Sequence, residues 1–269
     1  MSVNLLIAAA AASVVASTAM LVDRPVPLGA VLAAFASAFA VYNFDRLADQ
    51  TSGDGDTSPQ RAALLARARR SVVVAVAVAC LAMVGVAMTS GVTGALWVLA
   101  FPIGGVLYVL PLVAGKRLKD VPYIKTLYVP ACWCTFVGLA VCLGALEVGS
   151  ELVVFTVFFF LRALASTAAG DLRDVEADRA AGVRTFVVAL GRTRGARLID
   201  GVHALSIAVL VVSASLSWIP AAATSLVVPA MFGYACYRWI AAAPGSSELA
   251  HDLYDFEVVA YAPILWLLL

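Results

Sequence analysis

Charge is scarce in this chain. Of 269 residues only 13% are Asp, Glu, Lys or Arg, 63% are hydrophobic, and the mean hydropathy is +0.97. A soluble domain is roughly 25% charged and about 45–50% apolar, so a water-soluble globule of this size has nowhere to hide the excess. That excludes a cytosolic enzyme, a nucleic-acid binder and a disordered chain, and makes the bilayer the solvent. Histidine is nearly absent, with two residues, and the five cysteines (Cys80, Cys132, Cys134, Cys142, Cys236) all sit in apolar runs. None has zinc-ligand partners at suitable spacing, and Cys132 and Cys134 point to different helix faces, so they read as small buried hydrophobes with no disulfide framework. The first apolar run lacks a basic leader, since its nearest positive charge, Arg24, follows it. It reads as a transmembrane helix and not a signal peptide.

Long apolar runs are what the chain does have. A span needs about 20 residues at roughly 1.5 Å each. That rule predicts nine helices, 3–22, 27–48, 71–89, 92–113, 123–146, 151–170, 199–216, 219–241 and 253–269. The expected fold is therefore all-α, a single polytopic membrane domain over residues 1–269. Connections after spans 1, 3, 5 and 7 are short, whereas those after spans 2, 4 and 6 are longer and polar. Basic residues gather on that second side: Arg46, Arg61, Arg67, Arg69 and Arg70; Lys116, Arg117, Lys119 and Lys125; Arg173, Arg179, Arg184, Arg192, Arg194 and Arg197. The opposite side has Arg24. The positive-inside rule puts the even-numbered connections in the cytoplasm, in an inner (cytoplasmic) membrane, with the N-terminus inside and the C-terminus outside. Trp97, Trp218 and Trp239 fall near span ends, where interfacial aromatics belong.

Two acidic clusters lie on the cytoplasmic side, four spans apart. Asp45-Arg-Leu-Ala-Asp49 ends span 2, and Asp171-Leu-Arg-Asp174-Val-Glu-Ala-Asp178 ends span 6. At 100° per residue Asp45 and Asp49 are about 40° apart, and Asp171, Asp174 and Asp178 fall in an arc of about 60°. Like charges at this spacing repel, so a helix gains nothing from them without a cation. Mg²⁺ takes a few carboxylates together with phosphate oxygens. Two facing acidic helices, with basic connections to take up the remaining charge, suit a Mg²⁺–diphosphate.

The stretch from Asp171 through Gly182-Val-Arg184-Thr185-Phe-Val-Val-Ala-Leu-Gly191 closely resembles the second aspartate-rich motif of the UbiA superfamily of intramembrane prenyltransferases, D-x-x-D-x-x-x-D running into G-x-x-T-x-x-V-x-x-G. Asp45 and Asp49 look like the second half of that family's first motif, whose opening positions here are Val41 and Tyr42. The resemblance covers the whole chain. It implies a helical bundle around a cavity open to the cytoplasmic side and to lipid. There Mg²⁺ held by Asp45, Asp49, Asp171, Asp174 and Asp178 binds a prenyl diphosphate, which loses diphosphate and alkylates an acceptor. Arg61, in Ser58-Pro-Gln-Arg61, resembles the family's R-P-x-R, and Lys116-Arg117 resembles its K-R segment, so Arg61, Lys116, Arg117 and Lys119 are implied diphosphate contacts. The positive-inside rule alone also accounts for such a basic cluster.

Further residues are candidate substrate contacts. Tyr42 shares the face of Asp45, whereas Asn43 is about 160° round the helix from it. Tyr108 precedes Lys116 by eight residues, unlike the family's Tyr-x-x-x-Lys. Arg162 lies nine residues before Asp171, roughly 13 Å deeper and half a turn out of phase, which leaves it either pairing with another helix or touching the acceptor. His203 and His251 read as surface or hydrogen-bonded imidazoles. Asp255 and Glu257 begin span 9, where they either face the cavity as acceptor bases or cap the helix. Asp54 and Asp56 read as solvated loop residues. The expected partners are a prenyl diphosphate, a hydrophobic membrane-resident acceptor and membrane lipids, with no nucleic acid and no sign of oligomeric state. The alternatives are a cyclase or carotenoid-elongating enzyme of the same superfamily, a non-catalytic prenyl-lipid-binding protein, and a cation transporter using the Asp clusters.

Overall fold

A computed structural model describes residues 2–52, 59–113, 116–118, 121–180, 182–242 and 247–269. The long helices are α1 (Ser2–Leu21), α2 (Leu28–Ser52), α3 (Pro59–Thr89), α4 (Gly91–Val109), α5 (Ile124–Gly144), α6 (Ser150–Arg173) and α9 (Arg192–Ser215). Two short helices, α7 (Val175–Ala180) and α8 (Phe186–Leu190), join α6 to α9. After them come a 3₁₀ turn (Ala221–Leu226), α10 (Val227–Ala242), α11 (Ser247–Val259) and α12 (Tyr261–Leu268). The all-α class is as expected, interrupted by a small antiparallel hairpin, β1 (Pro111–Val113) and β2 (Lys116–Arg117), in the connection between α4 and α5.

Among the described residues seven helices are long and apolar enough to cross a membrane, the seven long ones named above. The last two of the nine expected spans are each in pieces, and prolines explain both breaks. Pro229 has no N–H for the Ser225 carbonyl, and the chain there opens as a 3₁₀ turn before α10 begins. Pro263 likewise leaves the Val259 carbonyl without its helical donor, and the helix is interrupted at Ala260. Ser13, on α1, fills the gap: its hydroxyl donates to the Val259 carbonyl (3.2 Å) and accepts from the Ala262 N–H (3.1 Å).

Neighbouring helices form a ring, α1–α2–α3–α4–α5–α6–α9–α10–α11, which closes where α11 and α12 return to α1. Small residues set the spacing. Ala8, Ala11 and Ala19 of α1 and Ala30, Ala33, Ala34 and Ala38 of α2 are all fully buried. Lipid supplies no hydrophobic drive between helices, so close backbone approach and van der Waals packing carry the association. Leucines and valines of α3 and α4 (Val74, Leu81, Val92, Leu96) are exposed around the outside, as a lipid-facing surface requires. A polar contact also locks α1 to α2: Asn4 Nδ2 donates to Asn43 Oδ1 (2.6 Å), and Asn43 Nδ2 donates to the Phe39 carbonyl (2.7 Å). Asn43, expected as a candidate substrate contact, is 3% exposed and belongs to this helix–helix lock.

The opposite side of the ring is pinned by a buried ion pair. Arg162 of α6 is 2% exposed and meets Glu257 of α11 in a two-pronged pair, Nε to Oε1 at 2.6 Å and Nη2 to Oε2 at 2.5 Å. Its remaining N–H groups go to His203 Nδ1 (2.5 Å), Ser206 Oγ (3.2 Å) and the Ala230 carbonyl (3.0 Å). All five guanidinium hydrogens therefore have acceptors. Because Arg162 only donates, His203 Nδ1 accepts, and a neutral imidazole then carries its hydrogen on Nε2, facing the Tyr254 hydroxyl at 3.1 Å. Glu257 also accepts from Tyr261 (2.6 Å). His203, expected as a surface or hydrogen-bonded residue, is 2% exposed and hydrogen-bonded.

Room for this pair comes from Gly233 on α10. A methyl group there would land on the Glu257 carboxylate and within 2.9 Å of the Tyr254 ring. Gly233→Ala is expected to lower stability by about 1–3 kcal/mol, the range of an overpacked core. Gly201→Ala on α9, where an added carbon meets nothing within 4 Å, is expected to be neutral or slightly stabilising. Thermal unfolding of both variants in one detergent checks the contrast.

Candidate active site

The second acidic motif straddles a helix break. Asp171 closes the last turns of α6, Asp174 follows it as the cap, and Asp178 lies in α7. The Asp178 N–H still bonds the Asp174 carbonyl (2.8 Å), so the two pieces stay nearly in line. Arg192, at the start of α9, donates to the Leu172 carbonyl at the end of α6 (3.2 Å). The turn after α7 needs a left-handed residue and has Gly182 (φ 74°). Thr185 then caps α8 by accepting from the Val188 N–H (3.2 Å). The Arg184 carbonyl takes the Tyr123 N–H (2.8 Å), tying this segment to the start of α5.

That tie places Lys125 between two carboxylates. Its Nζ is 3.1 Å from Asp171 Oδ1 and 3.2 Å from Asp178 Oδ2, with Asp178 Oδ1 at 3.4 Å. The adjacent Thr126 donates to the other Asp171 oxygen at 2.7 Å. Asp171 is 1% exposed. Burial pushes the Asp178 carboxyl above its ordinary range, against the pull of the Lys125 ammonium. Asp174 is turned instead to its neighbour Arg173, whose Nε and Nη2 reach its two oxygens at 2.6 and 2.7 Å. Two aspartates of the motif thus share one cation, and the third has its own.

Asp45 approaches from α2. It lines a cavity of about 80 Å³ with Tyr42, Phe101, Tyr108 and Tyr128. Tyr108 is near enough to Asp45, Asp171 and Asp178 to feel the charge of all three. Gly104 and Gly105 let α4 come close here, since an added carbon at Gly104 would sit 2.8 Å from Cys132 Sγ and one at Gly105 2.5 Å from Val41. Tyr108 stacks on Tyr128 at 5.9 Å, and Tyr128 donates to the Gly104 carbonyl (2.9 Å). Tyr42 accepts from the Trp133 indole N–H (2.9 Å). Tyr42, Val129 and Trp133 also form a wall of a second, larger cavity of about 240 Å³, which reaches along α6 past Phe159, Arg162 and Gly170 to Asp255 and Glu257 of α11.

The other expected residues distribute as follows. Arg117 is half-buried in the hairpin and engaged electrostatically. Only the backbone of Asp49, Arg61 and Lys116 is described, and Lys119, Asp54 and Asp56 lie outside the described residues, as does the side chain of His251. Arg162 faces the larger cavity, but its five hydrogens already have acceptors, so the geometry favours the helix-pairing alternative over the acceptor contact. Lys125 and Thr126 are the residues that the motif search passed over. Lys125 was visible in the sequence as one of four flanking cations, and nothing in the spacing singled it out.

The sequence matches the model of the UbiA prenyltransferase family over residues 5–254. The chain belongs to this family. Among solved structures, a UbiA homologue from Aeropyrum pernix K1 superposes with a TM-score of 0.70 at 14% identity, covering 97% of this chain and 95% of that one. A UbiA homologue from Archaeoglobus fulgidus bound to DMAPP and Mg²⁺ gives 0.65 at 14% identity, over 99% and 97%. The same homologue bound to GPP and Mg²⁺ gives 0.62 at 14%, over 96% and 99%. No curated protein sequence matches significantly. At these identities the likeness is one of fold. The family assignment makes the chain an enzyme of the prenyltransferase class and an integral, multi-pass membrane protein.

Removing the shared cation tests the described arrangement. Lys125→Ala leaves Asp171 and Asp178 facing each other, and is expected to lower stability by about 2–3 kcal/mol, below the range for wholly buried pairs because Lys125 is part-exposed. Lys125→Ala combined with Asp171→Asn is expected to recover at least half of that loss, as read by thermal unfolding in detergent. Additive losses would separate the two residues.

Proposed function

We propose that this family member is a Mg²⁺-dependent intramembrane prenyltransferase, which transfers a prenyl group from a prenyl diphosphate to a hydrophobic acceptor resident in the membrane. The observation that carries the reading is the pair of aromatic-walled cavities sharing Tyr42, Val129 and Trp133, one lined by Asp45 of the first motif and the other by Gly170, the neighbour of Asp171 in the second. The Archaeoglobus homologue, in structures bound to GPP or DMAPP with Mg²⁺, supports the choice of substrate class and metal. The basic connections support a cytoplasmic position for this end of the bundle.

The donor set fits the metal. Asp171 and Asp178 already converge on one cation, the Lys125 ammonium, and Mg²⁺ needs only one or two carboxylates beside phosphate oxygens. Among the described residues no three His, Cys, Asp or Glu side chains are grouped so as to hold a metal ion by themselves, so phosphate oxygens of the substrate would have to complete the coordination. Asp45, Asp49, Asp171, Asp174 and Asp178 are the residues that would hold it. When bound there, Mg²⁺ neutralises diphosphate charge and improves the leaving group.

The chain's own residues do the rest. Lys125 sits within 3.4 Å of the two carboxylates, so it reaches any phosphate those carboxylates help to hold. Arg61, Lys116, Arg117 and Lys119 add positive charge from the flanking connections. The C1–O bond breaks with its electron pair on the diphosphate. The faces of Tyr42, Trp133 and Phe159 line the path of the resulting allylic cation and stabilise it, while the apolar walls exclude water. The acceptor supplies the electron pair of the new bond and releases a proton.

Purified protein given geranyl diphosphate should bind it only with Mg²⁺ present, as measured by calorimetry in nanodiscs. Asp45→Asn and Asp171→Asn are each expected to reduce turnover by about 10²–10³, the scale of losing one preorganised charge-stabilising group. Metal-independent binding, or unchanged turnover in both variants, would remove the reading.

A further inference from the structure

The larger cavity has a floor. Along α6 its lining runs from Gly170, the neighbour of Asp171, down to Phe159. Eleven residues separate the two, a rise of about 16 Å. At the upper end Ser166, Thr167 and Gly170 are half-buried, whereas Phe159 at the bottom is 1% exposed. A layer of rings crosses the bundle at that depth. Trp133 of α5 meets Phe101 of α4 at 5.9 Å, Phe136 at 5.5 Å and Phe159 at 6.3 Å, and Phe155 stacks on Phe159 at 6.2 Å. Phe136 and Phe155 are buried as fully as Phe159. The seam between α1 and α11 is shut at Ile7, Ala10, Tyr254 and Glu257, which line the cavity and are all buried.

We propose that this ring layer limits the length of the prenyl donor, so that the protein takes a chain of one or two isoprene units and refuses one of four. The inference rests on the prenyltransferase reading above and adds the size class of the donor. With the diphosphate held at the aspartate motifs, the tail enters past Gly170 and runs down α6. An extended chain advances about 1.2 Å per backbone bond. An isoprene unit of four such bonds is then about 5 Å long, and the depth holds about three units. Volume is the tighter limit and decides. An apolar cavity of about 150 Å³ takes benzene, so one of about 240 Å³ takes about ten carbons, which is a geranyl chain. A geranylgeranyl chain exceeds that volume by about ten carbons. It would have to push the ring layer apart, which a close-packed interior resists. Arg162 and Glu257 border the tail without hindering it, because the hydrogens of Arg162 already have acceptors and an apolar neighbour displaces none of those bonds.

Donors that share one head and differ only in the tail test this: dimethylallyl, geranyl, farnesyl and geranylgeranyl diphosphate, each titrated with Mg²⁺ into the protein in nanodiscs and into empty nanodiscs. After correction for lipid partition, geranyl diphosphate is expected to bind at least about tenfold tighter than dimethylallyl, because it buries more apolar chain. It is expected to bind at least about tenfold tighter than geranylgeranyl, which overpacks the cavity. Two variants move the limit in opposite directions. Phe159→Ala removes a phenyl ring, room for about one more isoprene unit, and is expected to raise farnesyl binding relative to geranyl by at least about tenfold. Ala163→Phe, whose ring would lie back over the turn towards Phe159, is expected to weaken geranyl binding by at least about tenfold and to leave dimethylallyl within about threefold. Retained dimethylallyl binding reports that a variant is folded. Geranylgeranyl diphosphate binding as tightly as geranyl to the unaltered protein overturns the proposal whatever the variants do, since the chain then leaves the cavity between helices. An unchanged tail preference in either folded variant overturns the role of the floor. In both cases bound geranyl diphosphate leaves the prenyltransferase reading standing. Failure of all four donors to bind rejects that reading itself.

Discussion

A polar group inside hydrocarbon has to find its partner within the protein, because lipid offers none. That constraint explains most of the long-range contacts in this bundle. The carbonyl freed by Pro263 is met by Ser13 from the first helix, nearly the whole chain away in sequence. The guanidinium of Arg162 is met by acceptors from α9, α10 and α11. Asn4 donates to Asn43 across α1 and α2. The first two link helices distant in sequence and so help to close the ring, whereas the third joins consecutive helices. Alanine-rich faces then supply close packing without any directional information of their own.

The same constraint sorts polar residues into two populations. Some in the ring wall are saturated: Arg162 has no hydrogen left to give, and Asn43 has both ends engaged. Those near the helix ends keep some capacity for a ligand, as the Tyr42 hydroxyl does, or sit in exchangeable ion pairs, as Asp171, Asp178 and Lys125 do. An ion pair with part-exposed members, as Lys125 and Asp178 are, is a different object from one in the wall. Water can reach those two, whereas removing Glu257 would strand a guanidinium in the bundle interior, at a cost of about 3–5 kcal/mol.

Much of this was legible in the sequence, for reasons that are local. A helix needs only a run of apolar residues to be visible, so all seven long helices were readable, and the half-turn offset correctly turned Arg162 away from Asp171. The offset did not name Glu257 as its partner, because the two lie 95 residues apart and meet only through the packing of α6 on α11. The breaks at Ala260 and before α10 were missed since an apolar run reads the same whether its proline is tolerated or not. The second motif was placed on one continuous arc. The cap at Asp174 and its pairing with Arg173 separate it from the two aspartates that share Lys125. Lys125 itself was hidden among other cations. What distinguishes it is the bond from Tyr123 to Arg184 that brings the start of α5 against the α7–α8 turn.

Lys125 also makes sense of the short first motif. With Val41 and Tyr42 where the family's first motif opens with Asn and Asp, α2 brings one carboxylate fewer to the site than the family pattern does. Each carboxylate missing from one side lowers the positive charge the site can hold by metal alone. An ammonium fixed between Asp171 and Asp178 restores a unit of positive charge at the place where a phosphate would arrive, without requiring another ligand from α2. It also keeps two partly buried carboxylates from facing each other, which would otherwise raise the energy of the folded chain.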